Sequence, residues 1–102
     1  MNSINLKYTA VVLTAGESRR MGFPKALLDT GNGRKFIDNI FYILERITPQ
    51  PFETIAVLGY HKDRIVSEAE IPKSCKIVTN PEPERGQLSS LVEALRMYNP
   101  PD

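Results

Sequence analysis

Three short apolar runs constrain the fold more than any other feature: Tyr8 to Ala15, Thr54 to Leu58 and Cys75 to Thr79, each followed by a stretch of helical character. The first reads Tyr-Thr-Ala-Val-Val-Leu-Thr-Ala, β-rich and nearly continuous in apolar character, as a strand covered on both faces reads. Thr30-Gly31-Asn32-Gly33 marks a turn. Beyond it Phe36, Ile37, Ile40, Phe41, Leu44 and Ile47 recur at helical spacing, with Asp38, Asn39, Glu45 and Arg46 largely on the other side. That helix is expected to end near Thr48, because Pro49 and Pro51 remove donors and constrain the residues before them. The second run, Thr-Ile-Ala-Val-Leu, is closed by Gly59, and a short helix is predicted from Asp63 to Glu70, stopped before Pro72. After the third strand, Asn80-Pro81-Glu82-Pro83-Glu84-Arg85-Gly86 reads as a loop. Gln87 to Tyr98 reads as a third helix with Leu88, Leu91, Val92 and Leu95 apolar, ended by Asn99-Pro100-Pro101.

The order β-α-β-α-β-α implies an α/β fold: a parallel sheet with right-handed crossovers, half of a doubly wound, Rossmann-like arrangement. Ligands in such sheets sit beyond the carboxyl ends of the strands. The loops Gly16 to Lys25 and Asn80 to Ser90 both leave carboxyl ends, so they are expected to converge on one side. With 102 residues and 11.5 kDa there is room for one small domain. A hydrophobic fraction of 41% with 25% charged residues is ordinary for a globular protein, so a disordered chain is not expected. A net charge of +1 gives no broad field for nucleic acid, so none is expected as a partner and any positive field is local. The single cysteine, Cys75, excludes an intrachain disulfide and fits a reducing cytoplasm; it reads as a small half-buried residue opening a strand. The N-terminus is too polar for a secretory signal, and no apolar stretch is long enough to span a membrane.

The chemistry concentrates in one loop. Gly16 to Lys25 packs two glycines, two arginines and a lysine into ten residues directly after the first strand. Glycines let backbone N–H groups approach phosphate oxygens, and Arg and Lys neutralise their charge. A P-loop would carry Lys-Ser or Lys-Thr directly after its second glycine, whereas Phe23 and Pro24 intervene here and Ala26 follows Lys25. The dinucleotide fingerprint also fails, since Gly16 and Gly22 lie six apart with no glycine between them.

The stretch Leu13 to Leu28, Leu-Thr-Ala-Gly-Glu-Ser-Arg-Arg-Met-Gly-Phe-Pro-Lys-Ala-Leu-Leu, resembles the signature of the MobA-like nucleotidyltransferases. Thr14 is the departure, standing where the family usually has a small residue. The resemblance recurs at Asn80-Pro81 and at Gly86-x-x-Ser89-Ser90-Leu91, which is similar to the subgroup containing molybdenum-cofactor cytidylyltransferases. It covers Tyr8 to Tyr98 and implies a nucleotide-diphospho-sugar transferase-like fold. The chain, residues 1–102, would be the N-terminal nucleotide-binding half of such a domain. The implied reaction is attack of a substrate phosphate on the α-phosphate of a nucleoside triphosphate, CTP being favoured, with release of pyrophosphate. The implied acceptor carries a phosphate, as a molybdopterin-type cofactor does. A sugar-1-phosphate or other alcohol-phosphate acceptor is the alternative.

By this resemblance the Ala15 and Gly16 backbone contacts the nucleotide, Glu17 and Ser18 shape the loop, and Arg20 or its neighbour Arg19 meets the β- and γ-phosphates. Gly22 belongs to the same nucleotide-binding loop. Lys25 reaches the α-phosphate from a turn set by Pro24. Gly86, Ser89 and Ser90 lie by the ribose or base, although both serines could instead cap the third helix. His61 is expected to be structural or solvent-facing. Lys62-Asp63-Arg64 reads as a solvated helix start, and Glu82 and Glu84 as loop carboxylates.

The resemblance also implies a longer domain with an Asp-x-Pro segment whose Asp binds catalytic Mg²⁺, and no Asp-x-Pro occurs in these 102 residues. No metal ligand is therefore assigned within the chain. Three expectations follow: a truncated transferase half, a half completed by a second chain or copy that covers the sheet edge, or a nucleotide-binding module without turnover.

Overall fold

A computed structural model of the chain describes residues 7–14 and 24–97. Its elements follow the expected alternation: β1 (Thr9–Leu13), α1 (Phe36–Leu44), β2 (Glu53–Leu58), α2 (Lys62–Glu68), β3 (Lys76–Thr79) and α3 (Gln87–Arg96). The three strands form one parallel sheet in the order β1-β2-β3, with Leu13 opposite Val57 and Leu58 opposite Thr79. This is the α/β, Rossmann-like arrangement that the sequence implies.

Side chains alternate across the sheet, so its two faces carry different cores. On one face Val12, Ala56 and Leu58 pack with Ile37 and Phe41 of α1, Ile65 of α2, and Ala26 and Leu27 of a short 3-10 turn. On the other, Ile55, Val57 and Val78 pack with Ala94 of α3, and Val11 and Leu13 lie against them. Ile55 through Leu58 are all 0% exposed. Burying each of the larger side chains among them contributes about 1.5–3 kcal/mol. β1 differs from its reading as a strand covered on both faces. It lies at the sheet edge, and Val12 is its one fully buried residue.

Two helices end earlier than the sequence pattern suggests. α1 stops at Leu44 because its last turn tightens: Arg46 N donates to Ile43 O (3.0 Å), and Gln50 Nε2 takes Glu45 O (2.5 Å). Ile47 is consequently exposed rather than part of the apolar stripe. α2 stops at Glu68, and Glu70 N then donates to Asp38 Oδ1 (2.7 Å), which binds the exit of α2 to the first turn of α1. Asp38, placed on the solvent side by periodicity, is a tertiary tie.

Polar ties fix both ends of the sheet. At the amino edge, the largely buried Glu53 carboxylate accepts from Thr9 Oγ1 of β1 (3.3 Å) and pairs with Lys76 Nζ of β3 (2.5 Å). At the carboxyl edge stands Asn80, 3% exposed. Its backbone N–H donates to Leu58 O (2.8 Å), and its side-chain Nδ2 donates to Ser89 Oγ (2.9 Å) and Ser90 Oγ (3.0 Å). Its Oδ1 accepts from Glu82 N (2.9 Å), turning the chain out of β3.

Two substitutions test this arrangement. Ile37→Asp places an unpaired charge in the core under α1, and loss of a cooperative thermal melt is expected; a melt near the wild-type midpoint would refute the packing. Asn80→Ala leaves the buried Ser90 hydroxyl without its donor and removes the turn bond. Urea denaturation is expected to show a loss of about 2–3 kcal/mol.

Candidate nucleotide site

At the carboxyl edge of the sheet the described residues are Thr14 after β1, Gly59 to His61 after β2 and the segment from Asn80 after β3. Residues Ala15, Gly16, Glu17, Ser18, Arg19, Arg20 and Gly22, which carry most of the implied phosphate contacts, lie outside the described residues. The residues on either side of them are described. Thr14 is buried and donates from both its N–H (3.1 Å) and its Oγ1 (3.2 Å) to the carbonyl of Val57. The chain re-enters at Pro24, whose φ of −69° and ψ of 125° lead into the 3-10 turn Lys25–Leu27. Pro24, Ala26 and Leu27 are all buried, while Lys25 is exposed. The turn is closed by Leu27 N to Pro24 O (3.0 Å) and Leu28 N to Lys25 O (3.1 Å), and it packs against both α1 and α2. Apolar anchors on both sides of Lys25 therefore hold its backbone while the ammonium projects outward, 5.9 Å from the centre of the Phe36 ring.

The opposite end of the edge is built around Asn80. The loop after it makes a 3-10 turn at Pro83–Arg85, anchored by buried Pro83, and enters α3 through Gly86. Gly86 has φ +94° and ψ −178°, a conformation that a side chain would strain. It sits at the N-cap position, so neither serine caps α3 as the alternative reading had it. Ser89 Oγ instead donates back to Gly86 O (2.7 Å) and accepts from Asn80. Ser90 is buried beneath and also accepts from Asn80. The structure thus brings Gly86, Ser89 and Ser90 together with Asn80, a residue that the sequence reading placed in a loop and in the family resemblance but gave no contact of its own. An Asn at a strand exit followed by Pro was the available signal, since such a side chain readily forms a local turn.

β2 lies between these two segments, and His61 stands at its exit. With Gly59, Tyr60, Lys62 and Thr79 it borders a cleft of about 430 Å³. Its Nε2 is buried and makes no hydrogen bond, the sole such side-chain atom among the described residues. A buried polar atom without a partner is uncommon. Only the strand-exit position of His61 was visible from residue order.

Among the described residues no three His, Cys, Asp or Glu side chains stand close enough to hold a metal ion, and Glu82 is paired with Arg85 (3.2 Å). Cys75 is far from ligand chemistry: burial pushes its thiol above the ordinary range, opposed by a backbone hydrogen bond from Ala56, so it stays protonated at neutral pH. No helix among the described residues is long and apolar enough to cross a membrane.

The family model of the MobA-like NTP transferase domain matches residues 10–102. No curated protein matched the chain. Among solved structures, the crystal structure of the Mycobacterium tuberculosis Rv0371c homologue from Mycobacterium sp. strain JC1 is 31% identical with a TM-score of 0.72. That similarity covers 93% of this chain and 47% of the other, so the chain spans about half the length of the solved structure. The matched region runs from β1 through the end of the sequence and takes in both edge segments: the chain belongs to the MobA-like NTP transferase family.

Proposed function

We propose that the chain is the nucleotide-binding half of a nucleotidyltransferase that moves a nucleoside monophosphate from a nucleoside triphosphate to a phosphate-bearing acceptor. An acceptor phosphate oxygen attacks the α-phosphorus, the α–β phosphoanhydride bond breaks, and pyrophosphate leaves. The observation that carries this reading is the pinned turn at Lys25. A cation whose backbone is fixed by buried neighbours can meet a developing negative charge without reorganising, which is where such catalysis gains most. In this reading Lys25 neutralises the α-phosphate, Arg20 or Arg19 the β- and γ-phosphates, and the Ala15 and Gly16 backbone the bridging oxygens.

The nucleoside lies across the exit of β2. Gly86, Ser89 and Ser90 stand by the ribose or base, and His61 borders the cleft at the exit of β2. CTP is the favoured nucleotide and a molybdopterin-type cofactor the favoured acceptor, both resting on the Gly86-x-x-Ser89-Ser90-Leu91 resemblance. Magnesium is the metal that resemblance implies.

A second half completes the domain in this reading. β1 is a sheet edge, and α3 exposes Leu88 (73%) and Leu95 (60%) on the same side as Val11 and Leu13. In doubly wound sheets the next strand is added beside the first, so this surface suits a further parallel strand and its helix, from this polypeptide or another.

Calorimetric titration with CTP, GTP, ATP and UTP tests the reading. Binding of one of them is expected, and Lys25→Ala is expected to weaken it roughly ten- to a hundredfold, the worth of a charge-assisted hydrogen bond. The thermal midpoint should not move, because an exposed loop cation has little packing to lose. Unchanged affinity in Lys25→Ala would remove the assigned role.

A further inference from the structure

We propose that Ser89 is a specificity-determining residue that accepts a hydrogen bond from the nucleoside, so that the group it meets is an N–H or O–H donor and not a carbonyl. The proposal rests on the nucleotide-binding reading above and adds to it the direction of the Ser89 contact.

That direction follows from one backbone proton. Glu82 N–H can only donate, and it lies 2.9 Å from Asn80 Oδ1. The oxygen end of the Asn80 amide is thereby fixed, and its nitrogen end faces α3. Both amide hydrogens are then placed, one on Ser89 Oγ (2.9 Å) and one on Ser90 Oγ (3.0 Å). At 3% exposure water offers Asn80 no other partners. Both serine oxygens are therefore acceptors toward the amide, and each hydroxyl proton has to point elsewhere.

For Ser89 the proton goes to Gly86 O, 2.7 Å away, with Glu82 O a more distant second acceptor at 3.5 Å. Swinging it toward a ligand carbonyl would leave the Ser89 and Gly86 oxygens 2.7 Å apart with no proton between them, a repulsive contact. A hydroxyl has one proton and two lone pairs. With the proton held by backbone carbonyl and one lone pair by Asn80, one lone pair is left to offer. Ser90 makes the same bond to Asn80 but is 2% exposed, whereas Ser89 is only half-buried. The nucleoside donors that suit Ser89 are the exocyclic amino group of cytosine, adenine or guanine and the ribose hydroxyls.

The test is a double-mutant cycle. The unsubstituted chain and Ser89→Ala are each titrated calorimetrically with the tightest binder among CTP, GTP, ATP and UTP. Each is also titrated with analogues lacking one donor: the 2′-deoxy and 3′-deoxy forms and, for the first three nucleotides, the base with a carbonyl in place of its amino group. Alanine is the best helix former, so the variant is expected to fold. One analogue is expected to bind the unsubstituted chain about three- to tenfold more weakly than its parent, and Ser89→Ala to bind the two within about twofold of each other. The analogue that shows this names the donor. Equal ratios in the two chains for every analogue overturn the proposal. So does tighter binding of the carbonyl analogue that Ser89→Ala abolishes, because Ser89 would then be donating. In both cases the nucleotide reading stands. Failure of the unsubstituted chain to bind any of the four nucleotides overturns both.

Discussion

The structure depends on one strand being apolar on both of its faces. β2 buries Ile55, Ala56, Val57 and Leu58 completely, and a run of four cannot be satisfied by a sheet with one wet side. Ala56 and Leu58 require cover from α1 and α2, while Ile55 and Val57 require it from α3. The helices must therefore divide between the faces, and the chain must cross from one side to the other after β3. That crossing happens at Asn80, whose amide joins the end of β3 to the first turn of α3. Burial demand at the centre of the sheet thus dictates where the polar hinge stands.

The same demand explains why the candidate site is preorganised where it is described. The Lys25 turn is short and would fray alone, but Ala26 and Leu27 belong to the core under α1 and α2. The serines of α3 are held by an amide that is itself buried and fully engaged. Each described side chain of the candidate site is placed by a neighbour whose own position follows from packing. A polar edge built on apolar anchors of this kind is rigid without containing a single disulfide, and the lone Cys75 plays no part in it.

The alternation of strands and helices was legible in the sequence because the apolar runs are short, β-rich and separated by helical spacing or turn residues. The family signature around Gly16 and Lys25 was legible because its order and intervals are specific. What escaped were the interactions between residues distant in the chain. Asp38 holding Glu70 N, and Glu53 joining β1 to β3, pair groups 32 and 23 to 44 residues apart that no local period connects. The buried Nε2 of His61 is likewise a product of packing. The serines of α3 show a subtler limit. Ser is a favoured cap, but Gly86 can enter the helix at a φ the serines would not adopt, so the cap falls three residues earlier.

The two faces are unequal, and that inequality has a dynamic consequence. α1 and α2 share a core with the sheet and the Lys25 turn, whereas α3 contributes only Ala94 and Ser90 as fully buried side chains. Local opening free energies follow buried apolar contact, and α3 buries Ala94 where α1 buries Ile37 and Phe41, so amide protection should be deepest in β2 and shallower in α3 than in α1. α3 also carries Gly86 and Ser89. A ligand engaging them has to hold that helix against the sheet, and part of its binding energy goes into suppressing the helix's own fluctuations.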